Sequence, residues 1–135
     1  MLVYAHRRDA TDHAKYRAWL EGAVGSGTAY GLSELVLSAF VRVVTHTRVF
    51  PVPTPTATAL DEADNLRTQP NCVLISPGSA HWEIFAGLCR KADVKGGLVA
   101  DAYLAALAIE SGSEWITTDR DFSRFPGLHW RHPLS

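Results

Sequence analysis

The chain has 135 residues, the length of a single domain. At this length about two-thirds of the unfolded surface can be buried without a disulfide or a structural metal. The content of 47% hydrophobic and 20% charged residues excludes a disordered chain. A net charge of −1 excludes a global electrostatic field that would attract nucleic acid or a membrane. We therefore expect one domain over residues 1–135, in which any nucleic-acid partner meets a local patch.

Cysteine usage and hydropathy favour a cytoplasmic protein with no membrane partner. Cys72 and Cys89 have neither CxxC nor zinc-ligand spacing, and two free thiols in a reducing compartment are favoured over one disulfide. The least polar stretch, 96–109, contains Asp101 and is too short to span a bilayer. The apolar start before His6 is too short for a signal-peptide core.

Helical and extended patterns alternate along the chain. This order predicts an α/β sandwich with a mostly parallel sheet, and three prolines within 50–56 predict an extended crossing there. Helices are predicted at 11–23, 33–46, 57–68, from a cap at Ser79 to about Ala92, and at 98–110; strands are predicted at 28–30, 72–75, 114–118 and 128–131.

Apolar spacing within these elements predicts which side chains form the core. Ser33 is expected to cap its helix, and the apolar run 72–75 indicates a buried parallel strand. The expected inward residues are Ala14, Ala18 and Trp19 in the first helix; Leu32, Leu35, Val36, Ala39, Phe40 and Val43 in the second; Leu60, Ala63 and Leu66 in the third; Trp82, Phe85, Leu88, Cys89 and Ala92 in the fourth; and Trp115 in the strand after the last helix.

Two carboxylates stand out because they interrupt apolar segments. Glu34 is the only charge between residues 29 and 41, and Asp101 is the only charge between residues 96 and 109. A buried, unpaired carboxylate is unfavourable, so each acid needs either a polar opening or a cation beside it. The structural alternatives are a first-turn helix acid for Glu34 and a single exposed helix position for Asp101.

A third acidic signal lies after the strand at 114–118. Asp119 and Asp121 come directly after it, and ligands bind at this end of the strands in open parallel sheets. The structural alternative is that an Asp at this position caps a turn or a helix. If the acids converge at one sheet edge, their oxygens favour Mg²⁺ or Mn²⁺, and such a centre supports in-line displacement at phosphorus. A GxxxxGK phosphate loop and a GxSxG elbow are both absent, and the histidines lack metal-ligand spacing.

Several motifs together make the chain resemble a PIN-domain ribonuclease of the VapC toxin type. They are Leu-Ser-Glu-Leu-Val-Leu (32–37), Leu-Val-Ala-Asp-Ala-Tyr-Leu-Ala-Ala-Leu-Ala (98–108), Ile-Thr-Thr-Asp-Arg-Asp-Phe (116–122) and Phe-Pro-Gly-Leu (125–128). The resemblance implies a three-layer α/β/α sandwich, Mg²⁺-dependent cleavage of RNA phosphodiester bonds, a VapB-like antitoxin as partner, and a homodimer.

The resemblance also implies roles for individual residues. Glu34, Asp101 and Asp119 match acidic metal-ligand and catalytic positions of the family. Thr117 matches the small polar residue that supports the metal site, and Asp121 matches an additional acid beside it. Arg120 and Arg124 flank Asp119 in sequence, so we expect them to bind RNA phosphates.

The chain departs from the family pattern at its start. The family opens with a strand that ends in Asp-x-Asn, and residues 1–5 match the apolar segment after that Asp. We therefore expect the first strand and the first catalytic Asp to be missing, with Met1 inside a longer reading frame. If the chain is natural as written, the alternative is a catalytically impaired PIN-like module that only binds protein. A small phosphatase with Asp119 as nucleophile is disfavoured, because the Asp-x-Asp-x-Thr order is absent.

Overall fold

The computed structural model describes residues 1–135 as helices and short strands in two compact units, Met1–Leu74 with Leu134 and Ile75–Pro133 with Ser135. The first unit contains α1 (Leu2–His6), α2 (His13–Gly25), β1 (Tyr30–Leu32), α3 (Glu34–Val44), α4 (Thr56–Arg67) and β2 (Cys72–Leu74). The second contains α5 (His81–Ala92), α6 (Gly97–Ser111), β3 (Trp115–Ile116), a 3₁₀ helix (Arg120–Arg124) and β4 (Trp130–Arg131). The predicted alternation of helices and strands is confirmed, and the expectation of one domain stays a prediction.

The short sheet of the first unit fixes where α3 begins. β1 and β2 run parallel, with Tyr30 opposite Cys72 and Leu32 opposite Leu74. One residue beyond β1, the Ser33 hydroxyl accepts a hydrogen bond from the Leu35 amide and caps α3, as predicted. Glu34 is therefore the first residue of α3, at the carboxyl end of a parallel strand.

The core of the first unit is built around α1. Ala5 is fully buried in a cluster with Tyr16, Leu20 and Leu66, and Leu2 packs against this cluster. Leu2 also packs against a second cluster of Phe40, Val44 and Ala59. Because α1 is short and its Ala5 side chain is small, α2 and α3 both contact it closely.

Several predicted inward faces in the first unit are wrong by one or two positions. Ala14, Ala18, Leu35 and Leu60 are exposed, whereas Tyr16, Leu20, Leu37, Val44 and Ala59 are buried. Each of these helices has apolar residues on more than one side, so the sequence period alone does not determine which side meets the core. The predicted buried strand is also wrong, since Val73 and Leu74 are exposed in a strand that has one neighbour only.

The second unit packs α5 on the small side chains of α6. Ala102, Ala105 and Ala106 are fully buried, and Leu88, Phe122 and Phe125 complete the cluster. Trp115 packs against this core as predicted, but Trp82 is 69% exposed. β3 and β4 are parallel, with Trp115 opposite Trp130, and Gly112 ends α6 in the left-handed conformation.

The predicted cap at Ser79 is wrong, because α5 has Ala80 at its N-cap position and no side-chain cap; Glu110 instead holds the turn that precedes α5. Its carboxylate accepts hydrogen bonds from the Gly78 amide at 2.7 Å and the Ala80 amide at 3.0 Å, directly before α5. None of the helices is both long enough and apolar enough to cross a bilayer.

We expect Glu110→Ala to lower the free energy of unfolding by about 1–2 kcal/mol, because the variant loses the acceptor for both amides. Urea denaturation followed by circular dichroism measures this change. Glu83→Ala is the matched control, since Glu83 is an exposed acid in the first turn of α5, and its loss should cost roughly 0.3–0.5 kcal/mol. Equal effects of the two substitutions would contradict the role of Glu110 in holding the turn before α5.

Candidate active site

The end of β3 arranges Thr117 and Asp119 by local hydrogen bonds. The Thr117 amide donates to the Arg131 carbonyl at 3.1 Å, which extends the pairing with β4 by one residue. The Thr117 hydroxyl then accepts from the Asp119 amide at 3.0 Å. Asp119 Oδ1 accepts from the Asp121 amide at 2.9 Å and caps the 3₁₀ helix. The predicted alternative role of Asp119 as a cap is therefore real, and it occupies one of the two carboxylate oxygens.

Asp101 lies within the first turns of α6, half-buried at the edge of its apolar face. Burial raises the pKa of the Asp101 carboxyl, and the negative charges of Asp119 and then Asp121 raise that pKa further. The Arg124 guanidinium lowers the pKa by a smaller amount. Asp101, Asp119 and Asp121 therefore influence one another electrostatically. Asp101 is the most buried of the three, and it has no ion-pair partner.

The two arginines beside these acids have different surroundings. Arg124 donates from Nε to the Asp121 carbonyl at 3.0 Å and its Nη2 lies 3.5 Å from Asp121 Oδ1. Arg120 is exposed and forms no ion pair. Arg120 thus keeps its full donor set for an external anion, whereas Arg124 already neutralises part of the Asp121 charge.

Glu34 belongs to the first unit, where its partner is a cation that the sequence did not reveal. Arg67, the last residue of α4, donates from Nη2 to Glu34 Oε2 at 3.1 Å. An arginine at the C-terminal end of a helix is already accounted for by its favourable interaction with the helix dipole. The local sequence therefore gives no sign that Arg67 pairs with Glu34. The Glu34 side chain is 71% exposed, which agrees with the simple first-turn role as well as with a ligand role.

No three side chains of His, Cys, Asp or Glu are gathered anywhere in the chain as a ready-made metal centre. The chemistry of the donor set nevertheless fits a hard divalent cation, because the acids near Asp101 offer only oxygen and repel one another. The assignment of Glu34, Asp101, Asp119, Thr117 and Asp121 to a catalytic site stays a prediction.

The PIN-domain family profile matches residues 1–128 of this chain. The chain belongs to the PIN-domain family. Two relatives, VapC ribonuclease Mb2897 of Mycobacterium bovis and ribonuclease VapC43 of Mycobacterium tuberculosis, are 44% identical to it over 99% of the chain and 91% of their own length. Ribonuclease VapC25 of Mycobacterium tuberculosis is 34% identical over 99% of the chain and 95% of its own length.

A solved structure supports the same fold independently. The crystal structure of VapBC2 from Rickettsia felis, bound to a DNA fragment from their promoter, contains a chain that superposes with a TM-score of 0.66. That match covers 96% of this chain and 91% of the other at 15% sequence identity, so it speaks for the fold alone. The PIN-like α/β fold and the VapC resemblance inferred from the motifs are confirmed.

We expect Asp101→Asn to raise the melting temperature in EDTA at pH 7 by roughly 2 °C, because the amide removes a charge that burial and two neighbouring carboxylates disfavour. The folded-state pKa lies above the unfolded one, so this gain should disappear as the pH falls below the ordinary aspartate pKa. Scanning calorimetry measures it, with the exposed, unpaired Asp61→Asn as control. A loss of stability at pH 7 would contradict the electrostatic description of this cluster.

Proposed function

We propose that this chain is a Mg²⁺-dependent endoribonuclease toxin that cleaves RNA phosphodiester bonds and is neutralised by a VapB-like antitoxin. The observation that carries the proposal is the half-buried Asp101 carboxylate, which faces the charges of Asp119 and Asp121 without an ion-pair partner. Carboxylates whose pKa is perturbed by burial and by neighbouring like charges cluster at functional sites, which supports this assignment. The names of the VapC relatives supply the reaction class.

Asp101 and Asp119 would hold the divalent cation, Mg²⁺ or Mn²⁺, and Glu34 is added on the family motif alone. When bound, the cation activates water and stabilises the charge that develops at phosphorus. Asp119 can serve as a cation ligand because only one of its two carboxylate oxygens is used in capping the 3₁₀ helix. Thr117 supports the site by fixing the Asp119 backbone, and Asp121 adds to the negative charge near Asp101.

Arg120 and Arg124 would bind RNA phosphates next to the acids. Both lie on the 3₁₀ helix that Asp119 caps, so their backbone positions are tied to that of the proposed ligand. Arg120 lacks an ion-pair partner and is the stronger candidate of the two. Charge-assisted contacts of this kind position the RNA backbone without reading its sequence.

The proposed partners are inferred from the relatives and the structural neighbour. The neighbour is a VapBC2 structure with a promoter DNA fragment, and the relatives are named VapC ribonucleases. We propose a VapB-like antitoxin as partner on the strength of these VapC names, and a homodimer because the family resemblance of the motifs implies one. With an RNA substrate and an antitoxin of this type, we propose that the protein acts in the cytoplasm.

We expect wild-type protein to cleave a fluorogenic RNA in Mg²⁺ and to lose cleavage in EDTA. Asp101→Asn should reduce the rate by roughly 100-fold or more, since loss of outer groups around metal ligands already costs 10–100-fold. The same variant should relieve growth inhibition in cells, while Asp61→Asn leaves both unchanged.

Undiminished cleavage by a folded Asp101→Asn protein would refute the assignment of the site. Absence of any metal-dependent cleavage by the wild-type protein, together with retained binding of the antitoxin, would favour the alternative of a catalytically impaired binding module.

A further inference from the structure

The outer face of α5 carries a tryptophan that the fold leaves uncovered. α5 turns Leu88 and Ile84 toward the core of the second unit, whereas Trp82 is 69% exposed. The indole is backed by Phe85, with ring centroids 5.3 Å apart, so the exposed ring lies on a packed neighbour. Tryptophan is highly buried on average and is enriched in protein interfaces. An exposed indole on a helix surface therefore points to a protein partner.

A glycine lies in the middle of the same helix with no reason inside the chain. Gly87 is an interior residue of α5, where glycine destabilises a helix relative to alanine. A Cβ added to Gly87 would meet no atom within 4 Å, so no neighbour in this chain excludes a side chain. With Ala86 beside it, the centre of the face leaves room for a second helix to approach closely.

The charges on either side of this centre are opposite. The midpoint of α5 lies between Ala86 and Gly87; Glu83 lies about 5 Å before it along the axis and Arg90 about 5 Å after it. Their spacing places both on the face that contains the midpoint. Both are exposed, and the ion pairs of the second unit join other residues, so neither charge is used within the chain.

Such a face is complementary to itself. A two-fold axis through the midpoint of α5 brings a second α5 alongside in the antiparallel direction, with residue 83 of one copy opposite residue 90 of the other. Each Glu83 then faces an arginine. An RNA backbone would be repelled by Glu83, and another protein would need a matching pair of charges, which a second copy supplies of itself.

We infer that the outer face of α5, formed by Trp82, Glu83, Ala86, Gly87 and Arg90, binds the same face of a second copy of this chain. The inference rests on the homodimer included in the proposed function and assigns a surface to it. Glu83 pairs with Arg90 of the partner subunit, once on each side of the axis. Trp82 precedes Glu83 and packs against the same Arg90 of the partner subunit in a cation–π contact.

Charge reversal tests the pairing, because loss of one exposed charge alone costs little. Sedimentation velocity over a range of concentrations gives the dissociation constant, and the wild-type chain should dimerise. Glu83→Arg and Arg90→Glu should each weaken dimerisation roughly tenfold or more, since each variant brings two pairs of like charges together. An equimolar mixture of the two variants should restore the dimer, because every arginine then faces a glutamate.

Asp61→Arg is the matched control for the reversal. Asp61 is an exposed acid without an ion pair on α4, and its reversal makes the same change in net charge as Glu83→Arg. It should leave the dimer affinity within about twofold of the wild type, because salt screens charges that lie outside the contact. Equal weakening by Asp61→Arg and Glu83→Arg, or a mixture of reversed variants that stays monomeric, would overturn the inference.

Two further substitutions test the shape of the face. Trp82→Ala should weaken dimerisation about 100-fold, since the dimer contains two copies of this aromatic anchor. Gly87→Leu should abolish the dimer and leave the single chain folded, because the added side chain meets open space within one copy and the partner helix in the dimer. Circular dichroism and thermal melting check the fold of each variant. A Gly87→Leu chain that dimerises as the wild type does would refute the inference.

Other occupants of the face give different results, and each of them contradicts the inference. A wild-type chain that stays monomeric leaves the face without a second copy, and a dimer unaffected by these variants uses another surface. Variants that keep the dimer but lose binding of the antitoxin would assign the face to the antitoxin. Failure of the proposed ribonuclease function is visible separately, as a dimeric wild-type protein that does not cleave RNA in Mg²⁺.

Discussion

The proposed cation site depends on the electrostatic repulsion between the carboxylates around Asp101. The α6 helix buries its alanines against α5, which leaves its one carboxylate half-buried at the edge of that contact. The pairing of β3 with β4 and the Thr117 hydrogen bond hold Asp119 in place, so the two charges cannot simply move apart. The backbone thus keeps these carboxylates near one another, and their mutual repulsion would be relieved by a bound cation.

Each unit of the chain presents one part of the proposed chemistry. In the second unit, the 3₁₀ helix carries Arg120 directly after the capping carboxylate of Asp119. In the first unit, the Ser33 cap starts α3 at Glu34, and α4 ends at the arginine that contacts it. In each unit a carboxylate therefore lies close to an arginine, Asp119 before Arg120 in one and Glu34 against Arg67 in the other.

The features that the sequence could predict were local in origin. The Ser33 cap, the order of elements and the isolation of Asp101 depend on a few neighbouring residues. The inward faces of several helices could not be derived, because Leu35 and Trp82 fit the apolar spacing and yet are exposed. The Glu110–Gly78 hydrogen bond and the Arg67–Glu34 pair join residues 32 and 33 positions apart, so only the folded chain brings them together. The roles proposed for Glu34, Asp101 and Asp119 come from the family motifs, because spacing alone left those roles open.

The central claim is that the acids near Asp101 bind a divalent cation, and paramagnetic Mn²⁺ tests it most directly. In ¹⁵N–¹H spectra of the wild-type protein, substoichiometric Mn²⁺ should selectively broaden the amides around residue 101 and residues 117–121, and excess Mg²⁺ should reverse this. Asp101→Asn should largely abolish the selective broadening. Uniform broadening, or selective broadening elsewhere that is unchanged in Asp101→Asn, would contradict the account.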